Sequence, residues 1–203
     1  MAIKPILFST EMVRAILDGR KTCTRRLVRF LPGENSQWTG YIRDGLMLYN
    51  GRNEPCIAKA PYQPGDILYV RETWHRYTKR VGEGGKCHLE ERYGYKASIE
   101  NSEDADEPWR PSIHMPKEAA RIWLKVTDVR VERLQDMTDD DAEAEGCFDY
   151  TSTALGFPDV WDSSIKKSDL NRYGWDANPW VWVIEFERCE KPKEVEHERA
   201  RNN

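Results

Sequence analysis

Gly19-Arg20-Lys21-Thr22-Cys23-Thr24-Arg25-Arg26 is the stretch on which the reading of this chain turns. None of the eight is a large apolar residue, so core packing does not account for it. A lysine and a threonine hydroxyl stand three positions apart beside an arginine pair, which is the pattern of a site. Upstream, Ile3 to Phe8 reads as a strand. Ser9 or Thr10 then caps a short helix whose Val13, Ile16 and Leu17 share one face. Gly19 stops that helix, because glycine enters the left-handed conformation without strain. Lys21 therefore falls in the connection. From Thr22 the chain turns extended, with Thr22, Thr24 and Arg26 facing one way and Cys23, Arg25 and Leu27 the other.

Composition sets the frame. The chain has 203 residues, 39 % hydrophobic and 33 % charged, with eight Trp and nine Tyr, an aromatic load foreign to a disordered chain. No apolar run is long enough to cross a membrane and no signal-peptide pattern is present, so no membrane partner is expected and the expected location is cytoplasmic. Five cysteines, an odd number without a C-x-x-C pair, suit reduced thiols better than a disulfide framework. Cys87 and His88 are adjacent, but no second ligand pair stands at zinc spacing, so neither a metal nor another cofactor is expected. Net charge is −4, yet residues 1–30 hold seven cations against two carboxylates. A basic face on an acidic protein still receives phosphates, although a solvated surface explains the same residues.

Further along, residues 31–61 read as turns or a hairpin, with Met47-Leu48-Tyr49 a short strand. Pro64-Gly65-Asp66 is a tight turn leading into Ile67 to Val70, a strand buried on both faces that ends at Arg71 and Glu72. Residues 75–110 give a weak hairpin and a polar insertion, and Pro116 is placed as the first residue of a short helix. Ile122 to Leu134 is a long strand whose apolar parity shifts near Thr127-Asp128, which implies a bulge or two strands. Met137 to Gly146 is a helix with Thr138 as cap and Asp141 three positions on, a variant capping box. Glu145, at the negative end of that helix, breaks the local charge rule and so marks a functional candidate. Residues 147–177 read as an irregular aromatic segment. Trp180 to Phe186 is a strand with Trp180 and Trp182 both in the core, and residues 191–203 form a charged tail.

The order of helix, Gly-x-Lys loop, Pro-Gly-Asp strand, curved strand, acidic helix and aromatic strand resembles the ASCH superfamily. The family signature G-x-K-x-x-E-x-R appears here as Gly19, Lys21, Thr24 and Arg26, with threonine where many members carry glutamate. The same replacement marks the small bacterial ASCH enzymes that hydrolyse N4-acetylcytidine. The closing strand of that subgroup, ending in Val-Ile-Glu-Phe, is matched by Val183 to Phe186. The resemblance implies an α+β fold, a PUA-like mixed β-barrel with short peripheral helices. It implies one domain over residues 1–190, with insertions near 29–60, 75–115 and 147–178. The added length is similar to that of ASCH proteins encoded by bacteriophages and prophages. Lys21 and Thr24 take the family's catalytic positions, and matching Leu134 to Thr138 to the strand-to-helix junction places the third on Glu145.

The activity so implied is amide hydrolysis on a modified cytosine, in a nucleoside or in RNA. Lys21 is either a neutral base or a cation beside Glu145 acting as base; Thr24 supplies a hydroxyl or holds water. Arg26, Arg71, Trp74 and His114 are the candidate substrate-binding residues, since guanidinium forks suit phosphates or base edges and indoles stack bases. The plainer alternatives are a Lys21–Glu145 surface ion pair, a strand threonine, core tryptophans and a hydrogen-bonded histidine. At the level of function, the alternatives are a PUA-like module that binds RNA or a modified nucleotide without turnover, and an ASCH-type ribonuclease.

Overall fold

The computed structural model describes residues 1–31, 41–43, 47–57, 60–82, 87–99, 108–147 and 153–193. Expectations for the acidic stretch 100–107 and for residues 194–203 of the tail lie outside them. In chain order the elements are β1 (Ile3–Leu7), α1 (Thr10–Leu17), β2 (Cys23–Leu27), β3 (Tyr41–Arg43), β4 (Met47–Tyr49), β5 (Ile67–Arg71), β6 (Trp74–Val81), β7 (His88–Tyr95), β8 (Trp123–Arg133), α2 (Asp139–Ala144), α3 (Thr153–Ser163), α4 (Leu170–Tyr173) and β9 (Trp180–Cys189), with short 3₁₀ turns between them. Strands dominate and helices are short, so the fold is α+β. Strand pairing is mixed, and the hydrogen-bonded ladders among the described residues do not close on themselves. No helix among them is long and apolar enough to cross a membrane.

The chain divides into two compact units. The first comprises Met1–Asp18, Ile67–Leu124 and Arg188–Asn203, the second Gly19–Asp66 and Lys125–Glu187. In the first, β1 runs parallel to β5 with Ile3 beside Ile67, and β6 and β7 form an antiparallel hairpin. Its core gathers Ile67, Trp74, Met115, Ala119, Ala120 and Trp123. Ser9 caps α1 by accepting from the Met12 N–H at 3.3 Å. Pro116 stands just outside the 3₁₀ turn Lys117–Ala119 as its cap, one position earlier than the sequence suggests.

In the second unit β2 pairs antiparallel with β9, Thr24 facing Ile184 and Arg26 facing Trp182. Gly19 has φ +77° and Gly65 φ +86°, both left-handed, as a helix stop and a Pro-Gly turn require. β8 is one continuous strand, neither broken nor split in two. Its buried residues change parity from Leu124 and Val126 to Val129 and Val131, the shift expected near Thr127-Asp128. Residues 147–177 depart from expectation: α3 forms despite Gly156 and Pro158 within it. Phe157 and Trp161, one turn apart, pack onto Leu134, Ala142, Val181 and Val183, and that burial outweighs the weak propensity. Trp180 also departs. Trp182 is buried, whereas Trp180 is half-buried beneath the Arg133 guanidinium, 4.3 Å from its ring centroid.

Candidate functional site

The second unit brings Lys21 to the end of α2. Thr138 and Asp141 close a full capping box at the start of that helix, so its acidic first turn has a local cause. At its other end the carbonyls need donors. Segment 21–23 supplies them: Thr22 N–H donates to the Ala144 carbonyl at 2.8 Å, and Lys21 Nζ to the Glu145 carbonyl at 2.8 Å. Phe186 N–H donates to the Thr22 carbonyl at 2.9 Å, tying the same residue to β9.

Lys21 Nζ also donates to the Cys23 carbonyl at 2.8 Å and to Glu145 Oε2 at 2.6 Å. Three acceptors thus match the three N–H bonds of an ammonium. The Lys21 side chain is 0 % exposed and that of Glu145 5 %, so this is not the surface ion pair of the plainer alternative. The second Glu145 oxygen is in a different situation. Oε1 is buried, accepts no hydrogen bond among the described residues, and has the Arg25 Nη1 at 3.6 Å.

Arg25 is the residue that the sequence reading left unassigned. Its side chain is 0 % exposed and meets three carboxylates: Glu132 at 2.7 Å, Asp141 at 3.2 Å and Glu145 at 3.6 Å. Burial works against its charge, but Glu145 and Glu132 outweigh burial and hold the guanidinium above its ordinary range. Its parity with Cys23 and Leu27 was legible, but Cys23, Thr24 and Arg25 are all buried, so alternation along β2 did not single it out. Arg130, half-buried, extends the network to Glu132, Asp141, Asp128 and Glu185.

Thr24 is buried on β2. Arg26, on the same strand parity, has its guanidinium pushed down by burial, with Glu145 and Tyr62 as the charges and dipoles that oppose the shift. Burial raises the Tyr62 phenol while Arg26 lowers it, which adds Tyr62 to the neighbourhood. Burial, and then Glu145, push the Cys23 thiol up to about 12, so Cys23 is no nucleophile here.

The remaining candidates belong to the first unit. Arg71 donates from Nε to the Met115 carbonyl at 2.8 Å and from Nη2 to the Ile113 carbonyl, so its fork holds the 112–115 turn. Trp74 is 5 % exposed, edge-on to Tyr93 at 5.7 Å with Arg110 5.4 Å from its ring, which makes it a packing residue and leaves no open face for a base. His114 is exposed on the turn that Arg71 fastens. Among the described residues no group of three or more His, Cys, Asp or Glu side chains is placed to hold a metal ion.

No family model matches the chain, and no curated protein matches it. A solved structure does. The likeness is to an ASCH domain. It is the crystal structure of an ASCH domain from Lactobacillus crispatus JV V101, aligned over 92 % of this chain and 79 % of that one at 11 % identity and a TM-score of 0.45.

Proposed function

We propose that the second unit carries an amidohydrolase centre of the ASCH type, acting on an N4-acylated cytosine in a nucleoside or in RNA. The observation that carries the reading is the 2.6 Å contact between Lys21 Nζ and Glu145 Oε2. It joins two buried residues 124 positions apart, matched by resemblance to the catalytic positions of the subgroup, and leaves Glu145 Oε1 without a hydrogen-bond donor among the described residues. Saturation of Nζ favours the cationic lysine over the neutral-base assignment. Glu145 Oε1 is then the base. It takes a proton from the Thr24 hydroxyl, or from water that this hydroxyl holds, and the resulting oxygen nucleophile adds to the acyl carbon. The C–N bond breaks as the proton passes to the departing N4 amine. When water is the nucleophile, the products are the carboxylic acid and the unacylated cytosine, still on its ribose; when Thr24 is, a water then hydrolyses the acyl-threonine and releases the same acid. Arg26, which interacts electrostatically with Glu145, is the cation assigned to the developing oxyanion.

One observation favours the second reading, a binding module for RNA or a modified nucleotide. All three Lys21 protons are spent on the protein itself, as a purely structural fastening of β2 to α2 would have them. Incubation with N4-acetylcytidine, followed by its ultraviolet shift, separates the two. Turnover that is lost in Glu145→Gln and retained in part by Lys21→Arg supports the enzyme with a cationic lysine. No turnover by the wild type, together with salt-sensitive RNA binding, sinks it.

A further inference from the structure

The proposed chemistry makes no use of Glu72, a carboxylate 1 % exposed in the first unit. Both its oxygens are taken by Arg121, Nε at 2.8 Å and Nη2 at 2.9 Å. Burying such a pair costs desolvation free energy that an apolar pair would not, so stability alone does not account for it. Its geometry does account for something else. Arg121 lies over the Tyr95 ring at 4.1 Å, and Tyr95 is itself fixed by a 2.6 Å hydrogen bond to the Ala119 carbonyl. The third nitrogen of that immobilised guanidinium, Nη1, donates to Ser98 Oγ at 2.6 Å. An exposed serine is thereby oriented by a buried ion pair. With its oxygen accepting from Arg121, its own O–H is the group left to donate.

Ser98 lines a hollow of 310 Å³ together with Arg14, Ala97 and Ile99. Arg14 reaches it from the last turn of α1, anchored by Nε on the Ala97 carbonyl at 3.2 Å. Its Nη1 lies 3.7 Å from Glu11, whose side chain is 76 % exposed, and its Nη2 has no partner among the described residues. The Ala97 carbonyl is already occupied, so the side-chain polar groups offered to a ligand are donors. The other wall is aliphatic.

We propose that this hollow binds the phosphate of a small phosphomonoester, with Arg14 and Ser98 as its donors and Arg121 as the positioning residue behind Ser98. A guanidinium fork plus a hydroxyl matches the acceptor-only oxygens of a phosphate. The volume exceeds what a bare phosphate needs and lies in the range of small-molecule sites, and Ile99 and Ala97 give an organic body something to pack against. The site does not depend on the chemistry proposed at Glu145.

The test is isothermal titration of the full chain with ribose 5-phosphate, inorganic phosphate and acetate at low and moderate salt. Ribose 5-phosphate binds tightest, acetate weakest, and binding weakens with salt. Arg14→Gln lowers affinity about tenfold, the size of a charge-assisted hydrogen bond, and Ser98→Ala by less. Glu11→Gln raises affinity, because it removes the carboxylate that competes for Arg14. Glu145→Gln changes nothing, which separates this site from the other. Both main variants alter exposed or half-exposed side chains, and an unchanged melting temperature confirms that they fold. Equal affinity of wild type and Arg14→Gln, or no heat from ribose 5-phosphate at millimolar concentration, overturns the proposal. Equal affinity for inorganic phosphate overturns the organic-body part of it, and tighter binding of acetate overturns the phosphate.

Discussion

Glu72 in the first unit and Glu145 in the second are both buried carboxylates held by a cation, and they are completed to different degrees. Arg121 meets Glu72 with a two-pronged fork, one nitrogen to each oxygen. Lys21 is a single point and meets one oxygen of Glu145; the other faces Arg25 beyond hydrogen-bond distance. A fully matched buried pair fixes geometry and has no capacity left. A half-matched one keeps a charged oxygen in a dry place, which is where an unsatisfied group either costs stability or does chemistry. On the function proposed above, Glu72 is the one that holds and Glu145 the one that transfers a proton.

The largest expected effect tests that assignment directly. Glu145→Gln lowers kcat on N4-acetylcytidine by roughly 10²–10⁴-fold, the usual worth of a general base. Glu72→Gln leaves kcat within a few-fold and registers in thermal unfolding instead. Equal loss of kcat in both variants would break the distinction.

Next in size are the pair replacements. Removing one partner, by Lys21→Met or Arg121→Met, strands a buried carboxylate and costs about 3–5 kcal/mol in urea unfolding, with Arg121→Met at the lower end because that side chain is 26 % exposed. Replacing both partners by apolar residues recovers most of the loss, since no buried charge remains. Lys21→Met with Glu145→Leu therefore regains stability without turnover. Arg121→Met with Glu72→Leu regains stability and keeps turnover, and only its Ser98 is set loose.

What the sequence reveals divides along physical lines. The capping box at Thr138 and Asp141, the Gly19 stop and the Pro64-Gly65 turn were legible because each is set by a few adjacent residues. Glu145 was legible as a residue that breaks a local charge rule, and Lys21 as a basic residue past a helix stop. Their partnership came from resemblance to a family, since no local rule connects positions 124 apart. α3 was missed because Gly156 and Pro158 weigh against a helix, while the Phe157–Trp161 packing that rescues it is tertiary. Arg71 and Trp74 drew attention as a fork and a platform. Which carbonyls an arginine meets, or which ring covers an indole, is decided only once distant segments are in place.

A smaller effect separates the cap of α2 from its charge. Thr138→Ala removes the hydroxyl that accepts from the Asp141 N–H and costs about 1 kcal/mol, the usual value for a lost cap. Turnover falls only as far as the position of Glu145, at the other end of the same short helix, depends on that cap. A kcat loss near that of Glu145→Gln would mean that the helix, rather than the carboxylate, is the fragile element of the site.

The smallest effect is a pH dependence at Asp141, where the cap of α2 meets the network around Arg25. Burial works against the Asp141 charge, but the Thr138 N–H and hydroxyl, and then Arg25, outweigh it and hold the carboxyl below its ordinary range. A carboxylate whose folded value is depressed adds stability that is present in full above its unfolded value. That stability is lost as pH falls through the folded one. The unfolding midpoint of the wild type therefore exceeds that of Asp141→Asn by its largest margin near neutrality, and the margin narrows below about pH 4 as the carboxyl takes up its proton. The Asp141 side chain is 25 % exposed, so solvent screens the interaction in part and the margin is small. A margin independent of pH would mean that Asp141 contributes to the cap by shape alone, and that Arg25 is oriented by Glu132 and Glu145 without it.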